Sequence, residues 1–302
     1  GGGGGALVRG IYYGGDGTCA AGHTDNGDGT CTATFYPDAH PETTSVDGNV
    51  VDSAFAETWA NKRDNTEGNG AFDDEAGGGN GVIDIRSSTG GQGENLWWVF
   101  THGFFLFDTS AIPDNAVIGD ATFGLVVSSK IDQFSDSFSL VATTPASNTA
   151  LGTADLDQWG TTKLAPDLAT ASITADSATY NVWTLNGPGR GNIDKTGVSK
   201  FGIVATSVVD NSEPAWVDDD KNRIVPLFAD TAGTSTDPRL VVTYTTGLPP
   251  TLKISVGAGG TGGTAVSGAD GNGGTTGGNS YVNSTTDFNL TAYGGGGGGG
   301  GA

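Results

Sequence analysis

The sequence predicts an all-β protein: an antiparallel β-sandwich of the jelly-roll kind, preceded by a small disulfide hairpin and followed by a glycine-rich β and polyglycine module. Three observations lead there. Roughly ten short β-branched and aromatic runs follow one another between residues 30 and 245, separated by turn residues and almost free of helical periodicity. Two cysteines, Cys19 and Cys31, bracket the turn-rich stretch AAGHTDNGDGT. Glycine supplies 53 of 302 residues and includes a run at each end, GGGGG at 1–5 and eight in line at 294–301.

In chain order, residues 1–17 read as a glycine-rich N-terminal segment and 18–35 as the hairpin. Asn26-Gly27 and Asp28-Gly29 suit a tight turn, and TCTATFY (30–36) alternates with period two. An even pair of cysteines at this spacing points to a Cys19–Cys31 disulfide made in an oxidising compartment, with two free thiols as the alternative. Closing so short a loop contributes about 3 kcal/mol. Residues 36–246 form the sandwich. NGVIDIR (80–86) puts Ile83 and Ile85 on one face and Val82, Asp84 and Arg86 on the other. LWWVF (96–100), FFLFD (104–108), ATFGLVV (121–127), FSLVATTP (138–145), YNVWTL (180–185), KFGIVATSV (200–208), NRIVPLF (222–228) and RLVVTYT (239–245) continue the series. A short helix is predicted within 51–64, where Phe55 and Trp59 stand four apart, and a helical turn within 153–159. Many short strands without helices between them stack as two antiparallel layers. GLPP (247–250) reads as a linker, and 247–302 as a separate module.

Acidic residues outnumber basic ones 34 to 13, giving a formal net charge of −21. Such a surface repels phosphate and anionic lipid, so nucleic acid is excluded as a partner. No apolar run is long enough to span a membrane as a helix. The sequence contains no methionine, so it reads as a processed or excerpted piece of a longer product.

Catalytic signatures are missing. His23, His40 and His102 fall in no paired-ligand spacing, and there is no GxSxG. The chain reads as no enzyme. Calcium is the candidate cofactor, because FDDEAGGGNGVID (72–84) gathers Asp73, Asp74, Glu75 and Asp84 around a glycine-rich loop whose oxygens suit a hard cation. A solvated acidic loop is the alternative. Surface glycans are the candidate ligand of the tandem Trp97-Trp98, since alternation along a strand sends one ring inward and one outward, where it stacks on a sugar or on a neighbouring subunit.

FFLFDTSAIPDNAVIGDATFGLVV (104–127), together with DPRLVVTYT (237–245), resembles the DNRLRE family of bacterial and archaeal surface proteins. The anchors are Phe107-Asp108, Ser110-Ala111-Ile112-Pro113 and Ala121-Thr122, and the likeness covers about residues 36–245. It implies a jelly roll related to carbohydrate-binding modules. The same residues have a physical role, because Pro113 pre-sets a turn and Asp108 can bond the turn's backbone. VGAGGTGG (256–263), GGNS (277–280) and LTAYGGGGGGGG (290–301) resemble the glycine-rich modules of phage tail fibres and other surface appendages.

Ordering eight glycines costs on the order of 8–16 kcal/mol. A run in polyproline-II form turns every N–H and C=O outward, and parallel neighbours can satisfy them at close range because no Cβ intervenes. Gly294, Gly295, Gly296, Gly297, Gly298, Gly299, Gly300 and Gly301 are therefore the candidate assembly residues, with a flexible tether as the alternative. The expectation is a structural subunit of an extracellular fibre or filament on a cell or virion surface, whose partners are copies of itself or other fibre chains. The rival is a surface-tethered carbohydrate-binding module.

Overall fold

The computed structural model describes residues 19–73, 81–230, 233–246, 253–264, 271–283 and 289–296. The predicted segment 1–17 lies outside them. The chain divides into two compact units, one of residues 19–246 and a second to which 247–302 belong.

The first unit contains β1 (Thr24–Asp25), β2 (Cys31–Phe35), β3 (Asp47–Asp52), α1 (Trp59–Arg63), β4 (Gly70–Phe72), β5 (Ile83–Ser87), β6 (Trp97–Asp108), β7 (Val117–Asp132), β8 (Ser137–Thr143), β9 (Trp159–Lys163), β10 (Leu168–Ala169), β11 (Tyr180–Thr184), α2 (Gly187–Gly191), β12 (Val198–Ala205), α3 (Thr206–Val209), β13 (Lys221–Pro226) and β14 (Arg239–Thr245). Every strand ladder among the described residues is antiparallel. One layer runs β2-β14-β7-β11. The other runs β6-β12-β8, with β9 and β10 sharing the far edge. Counting β2, β6, β7, β8, β9, β11, β12 and β14 as one to eight, the layers read 1-8-3-6 and 2-7-4-5, the jelly-roll order.

Three strands are added around β6. β3 pairs with residues 100–105 along one edge, while β5 and β12 share the other edge end to end. β13 joins β5 to the last residues of β7, so β7 pairs in one layer near its start and in the other near its end. LWWVF and FFLFD, read as two runs, are one twelve-residue strand continuing through Thr101, His102 and Gly103. Gly103 is needed because a Cβ there would overlap the Ile83 side chain. Both faces of β6 are buried. Phe105 and Phe107 join Phe123, Phe201 and Trp183 in the central core, and Phe104 and Leu106 pack outside it with Val46, Val50, Leu151 and Leu156.

The predicted helix within 51–64 is shorter than its pattern. The β-branched Val50 and Val51 belong to β3, tertiary pairing overriding the helical spacing, and only Trp59–Arg63 are helical. Phe55 is 73% exposed, so its spacing from Trp59 buries nothing. The predicted turn near 153 is a single 3-10 turn, Thr153–Asp155.

The hairpin read as a piece of its own supplies the first strand of the sandwich, since β2 pairs along β14 from Phe35 opposite Leu240 to Cys31 opposite Tyr244. Gly27 and Gly29 have φ of +76° and +87°, the left-handed region that favours glycine. Asp25 Oδ1 accepts the Gly27 N–H (2.8 Å) and Asp28 Oδ1 accepts the Thr30 N–H (3.0 Å), fixing the turn. Cys19 and Cys31 are joined, with a Cα separation of 5.5 Å. At the motif turn, the N–H and hydroxyl of Ser110 donate to Asp108 Oδ1 (3.0 and 2.6 Å), and the Ala116 N–H donates to the Pro113 carbonyl (2.8 Å). No helix among the described residues is long and apolar enough to cross a membrane.

The second unit contains β15 (Lys253–Ser255), β16 (Ser280–Asn283) and β17 (Asn289–Ala292), an antiparallel sheet with β16 in the middle.

Candidate functional site

Each strand of this small sheet runs directly into a glycine-rich stretch: β15 into residues 256–264, β16 out of 271–279, and β17 into 293–296. The registers continue without a break. Lys253 faces Asn283 and Ser255 faces Tyr281 in the sheet, and beyond it the Gly278 N–H donates to the Ala258 carbonyl (2.7 Å). The next bonds run from the Thr275 N–H to the Thr261 carbonyl (3.0 Å) and from the Asn272 N–H to the Thr264 carbonyl (3.2 Å). Along both segments the partners recur every third residue. A β-ladder bonds every second residue, whereas a polyproline-II strand completes a turn in three. The sheet thus unwinds into side-by-side polyproline-II strands in the same register.

Side-chain size follows the same period. A Cβ on Gly257, Gly260 or Gly263 would overlap the carbonyl oxygen of Gly278, Thr275 or Asn272. Gly259 and Gly262 face open space. The remaining third carries the side chains of Ala258, Thr261 and Thr264. Thr261 and Thr275 bond each other through their hydroxyls (2.8 Å), and Thr275 Oγ1 accepts the Thr261 N–H (2.9 Å), so the polar side chains reinforce the ladder. The third segment joins on the other side of 271–279. The Gly277 N–H donates to the Gly295 carbonyl (3.2 Å), the Gly294 N–H donates to Asn279 Oδ1 (3.1 Å), and a Cβ on Gly294 would overlap the Gly277 carbonyl. Gly295 and Gly296 face open space. The three strands bound a groove of about 630 Å³ lined by Gly257 to Gly263, by Asn272, Gly274, Thr275, Gly277 and Gly278, and by Gly294 to Gly296.

Of the predicted assembly glycines, Gly294, Gly295 and Gly296 stand in this bundle, and Gly297, Gly298, Gly299, Gly300 and Gly301 lie outside the described residues. Sequence reading missed the part played by Gly257, Gly260, Gly263, Thr261 and Thr275. The signal was present in GGTGGT (259–264), whose three-residue repeat matches the period of the bonds.

The other candidates fare differently. Asp84 is fully buried in β5. Its Oδ2 accepts both Nε–H (2.9 Å) and Nη2–H (2.6 Å) of Arg223, and its Oδ1 accepts the Thr101 hydroxyl (2.9 Å). A cation at Asp84 would have to displace that guanidinium. Asp73 Oδ2 accepts the Leu151 N–H (2.7 Å), while Asp74 and Glu75 lie outside the described residues. No group of three His, Cys, Asp or Glu among the described residues is arranged to hold a metal. Trp97 is the inward ring of the tandem, wholly buried against Trp59 and Phe100, with its Nε1–H donated to Glu213 Oε1 (2.8 Å). It offers no ring face to a sugar. Trp98 is half-buried, donates Nε1–H to the Ser53 carbonyl (3.0 Å), and has Arg86 stacked 4.7 Å from its ring centre. Asp219 bonds Arg86 in turn and keeps it there. Of the histidines, His102 is buried, and its desolvated imidazole is held neutral with a pKa lowered to about 4. His23 Nδ1 lies 2.6 Å from the Tyr244 hydroxyl, tying the hairpin to the last turn of β14.

Among known proteins, no family model and no curated protein matches this chain.

Proposed function

We infer that this chain is a non-enzymatic structural subunit of an extracellular appendage, in which the sandwich is the body of the subunit and the glycine bundle is the joint. The observation that carries the reading is the unfinished bundle. Three polyproline-II strands hold one another in a fixed register, yet Gly259, Gly262, Gly295 and Gly296 present backbone without side chains to open space. Polyproline-II backbone has no internal hydrogen bonds, so each outer strand keeps donors and acceptors for a further neighbour. A tether has no use for a fixed register. The disulfide fits an oxidising compartment, and the motifs shared with surface-protein jelly rolls fit the same location.

Charge supports the location of the joint. Of the −21 carried by the chain, residues 253–296 contribute only Lys253, Asp270 and Asp287, so copies meet there with the least repulsion. The test is removal of the glycines 294–301. Circular dichroism and urea unfolding should show the sandwich intact, while sedimentation and electron microscopy show that higher-order assembly is lost. Normal assembly of the truncated protein would place the joint on the sandwich and end this reading.

A further inference from the structure

We propose that the open face of the glycine bundle is filled by the glycines 1–5 of a second copy, which lie along it as a fourth polyproline-II strand. This rests on the reading of the bundle as a joint and names its occupant.

The face sets strict conditions. Gly259 and Gly262 form no hydrogen bond with any other described residue, and a Cβ on either would meet nothing within 4 Å. They stand three apart, so one turn of the strand repeats the same open position. An incoming strand must approach as closely as those already present, where a Cβ on Gly260 or Gly263 would overlap a neighbour's carbonyl oxygen. A run of glycines satisfies that in any phase, whereas a mixed sequence must place glycine at every third residue in the right phase. Outside the module, the longest such run is at 1–5. At about 3.1 Å per residue it extends about 16 Å, enough to span the stretch from Ala258 to Gly262. The segment also suits the electrostatics. Residues 1–15 contain no acid and one base, Arg9, in a chain of net charge −21, so this segment approaches another copy without a charge penalty.

The consequence is geometric. A donor segment at one place on the chain and an acceptor face at another make a heterologous contact, which propagates into an open filament unless the rotation happens to close a ring. Each added copy covers one open face and brings another.

The experiment uses two variants of the full chain. Deleting residues 1–5 removes the donor. The pair Gly259→Val and Gly262→Val blocks the acceptor while leaving the bonds among the three described strands in place, because both side chains project into open space. Each variant alone should lose assembly in sedimentation velocity. Mixed one to one, they should form discrete heterodimers, since one keeps the face and the other keeps the strand. Wild-type assembly by the deletion variant overturns the proposal. If removal of 294–301 still abolishes assembly, that outcome leaves the bundle as the joint with a different occupant. Wild-type assembly by the valine variant overturns the proposal as well. A monomeric wild type would refute the joint itself and assign residues 1–5 to their own chain.

Discussion

Asp237, at the entrance to β14, is a charge that the fold holds at a cost. Its side chain is 4% exposed, and its Oδ1 has no hydrogen-bond partner. Burial first, and the nearby Asp230 carboxylate second, push its pKa from 3.8 up to about 6. At about 1.4 kcal/mol per tenfold change in proton affinity, ionised Asp237 is destabilising by at most about 3 kcal/mol, less where solvent screens the carboxylate. The sign follows from proton linkage. Between pH 3.8 and about 6 the folded chain holds more protons at this site than the unfolded chain, so stability falls as pH rises through that window. Asp237→Asn keeps the shape and removes the charge. The variant should be more stable than wild type by about 1–3 kcal/mol at pH 7.5, with the gain shrinking toward nothing at pH 3.5. Urea unfolding across pH 3.5–8, disulfide intact, reads this directly. His102 works in the opposite direction, because its folded pKa near 4 lies below 6.5 and stability is lost as pH falls through that interval. In wild type the two slopes oppose each other, and the variant should remove the Asp237 contribution while those of the other buried carboxylates, Asp47 and Asp136, remain beside the histidine slope. A difference between variant and wild type that is the same at pH 3.5 and pH 7.5 would refute the assignment.

Three further outcomes are expected. Lys62 is buried, donating Nζ to Asp52 Oδ1 (2.9 Å) and to the Phe55 carbonyl (2.9 Å); Lys62→Met strands the Asp52 carboxylate and should cost about 3–5 kcal/mol in urea unfolding, part of it recovered by adding Asp52→Asn. Gly260→Ala should raise amide exchange at Gly278, Thr275 and Asn272, whereas Gly259→Ala leaves those amides protected; equal effects would mean that the three-residue register is wrong. Reducing Cys19–Cys31 should lower stability by about 3 kcal/mol and free the His23 ring from Tyr244, visible as a histidine pKa that returns toward 6.5 from its lowered value in an NMR titration.

Most of the sandwich could be read from alternation. RLVVTYT buries Leu240, Val242 and Tyr244 and turns Thr245 outward, and YNVWT buries Asn181 and Trp183 between exposed Val182 and Thr184. The pattern works because one face of each of these strands meets solvent. It fails where both faces are covered or where the strand is too polar to announce itself. DGNVVD became β3 because its backbone completes the edge of β6, while its polar Asp47 and Asn49 are buried; only its apolar Val50 hinted at this. Trp98 was legible as the outward ring, but not the Arg86 that lies over it, because Arg86 is held by Asp219 from a loop 133 residues away. The acidic loop at 72–84 looked like a ligand set for the same reason: Arg223, which engages Asp84, comes from β13, far along the chain.

The glycine module shows a different limit. Its composition announced that backbone would pack on backbone, but composition has no phase. The phase is set by the sheet, where Ile254 faces Val282 and fixes which residues stand opposite one another before the first glycine is reached. From there a three-residue turn sorts GAGGTGGT into a class that must be glycine for close approach, a class that carries Ala258, Thr261 and Thr264, and a class left open. The first class sets the close approach of the strands, and the third makes no contact that requires glycine among the described residues. Nothing in the packing of the described strands forbids a side chain at Gly259 or Gly262, and helix or sheet propensity gives no reason for glycine there. Glycine at positions where the fold itself has room for a Cβ is what a surface requires when another backbone must lie against it. The open class, more than the number of glycines, is the feature on which the proposal of a joint rests.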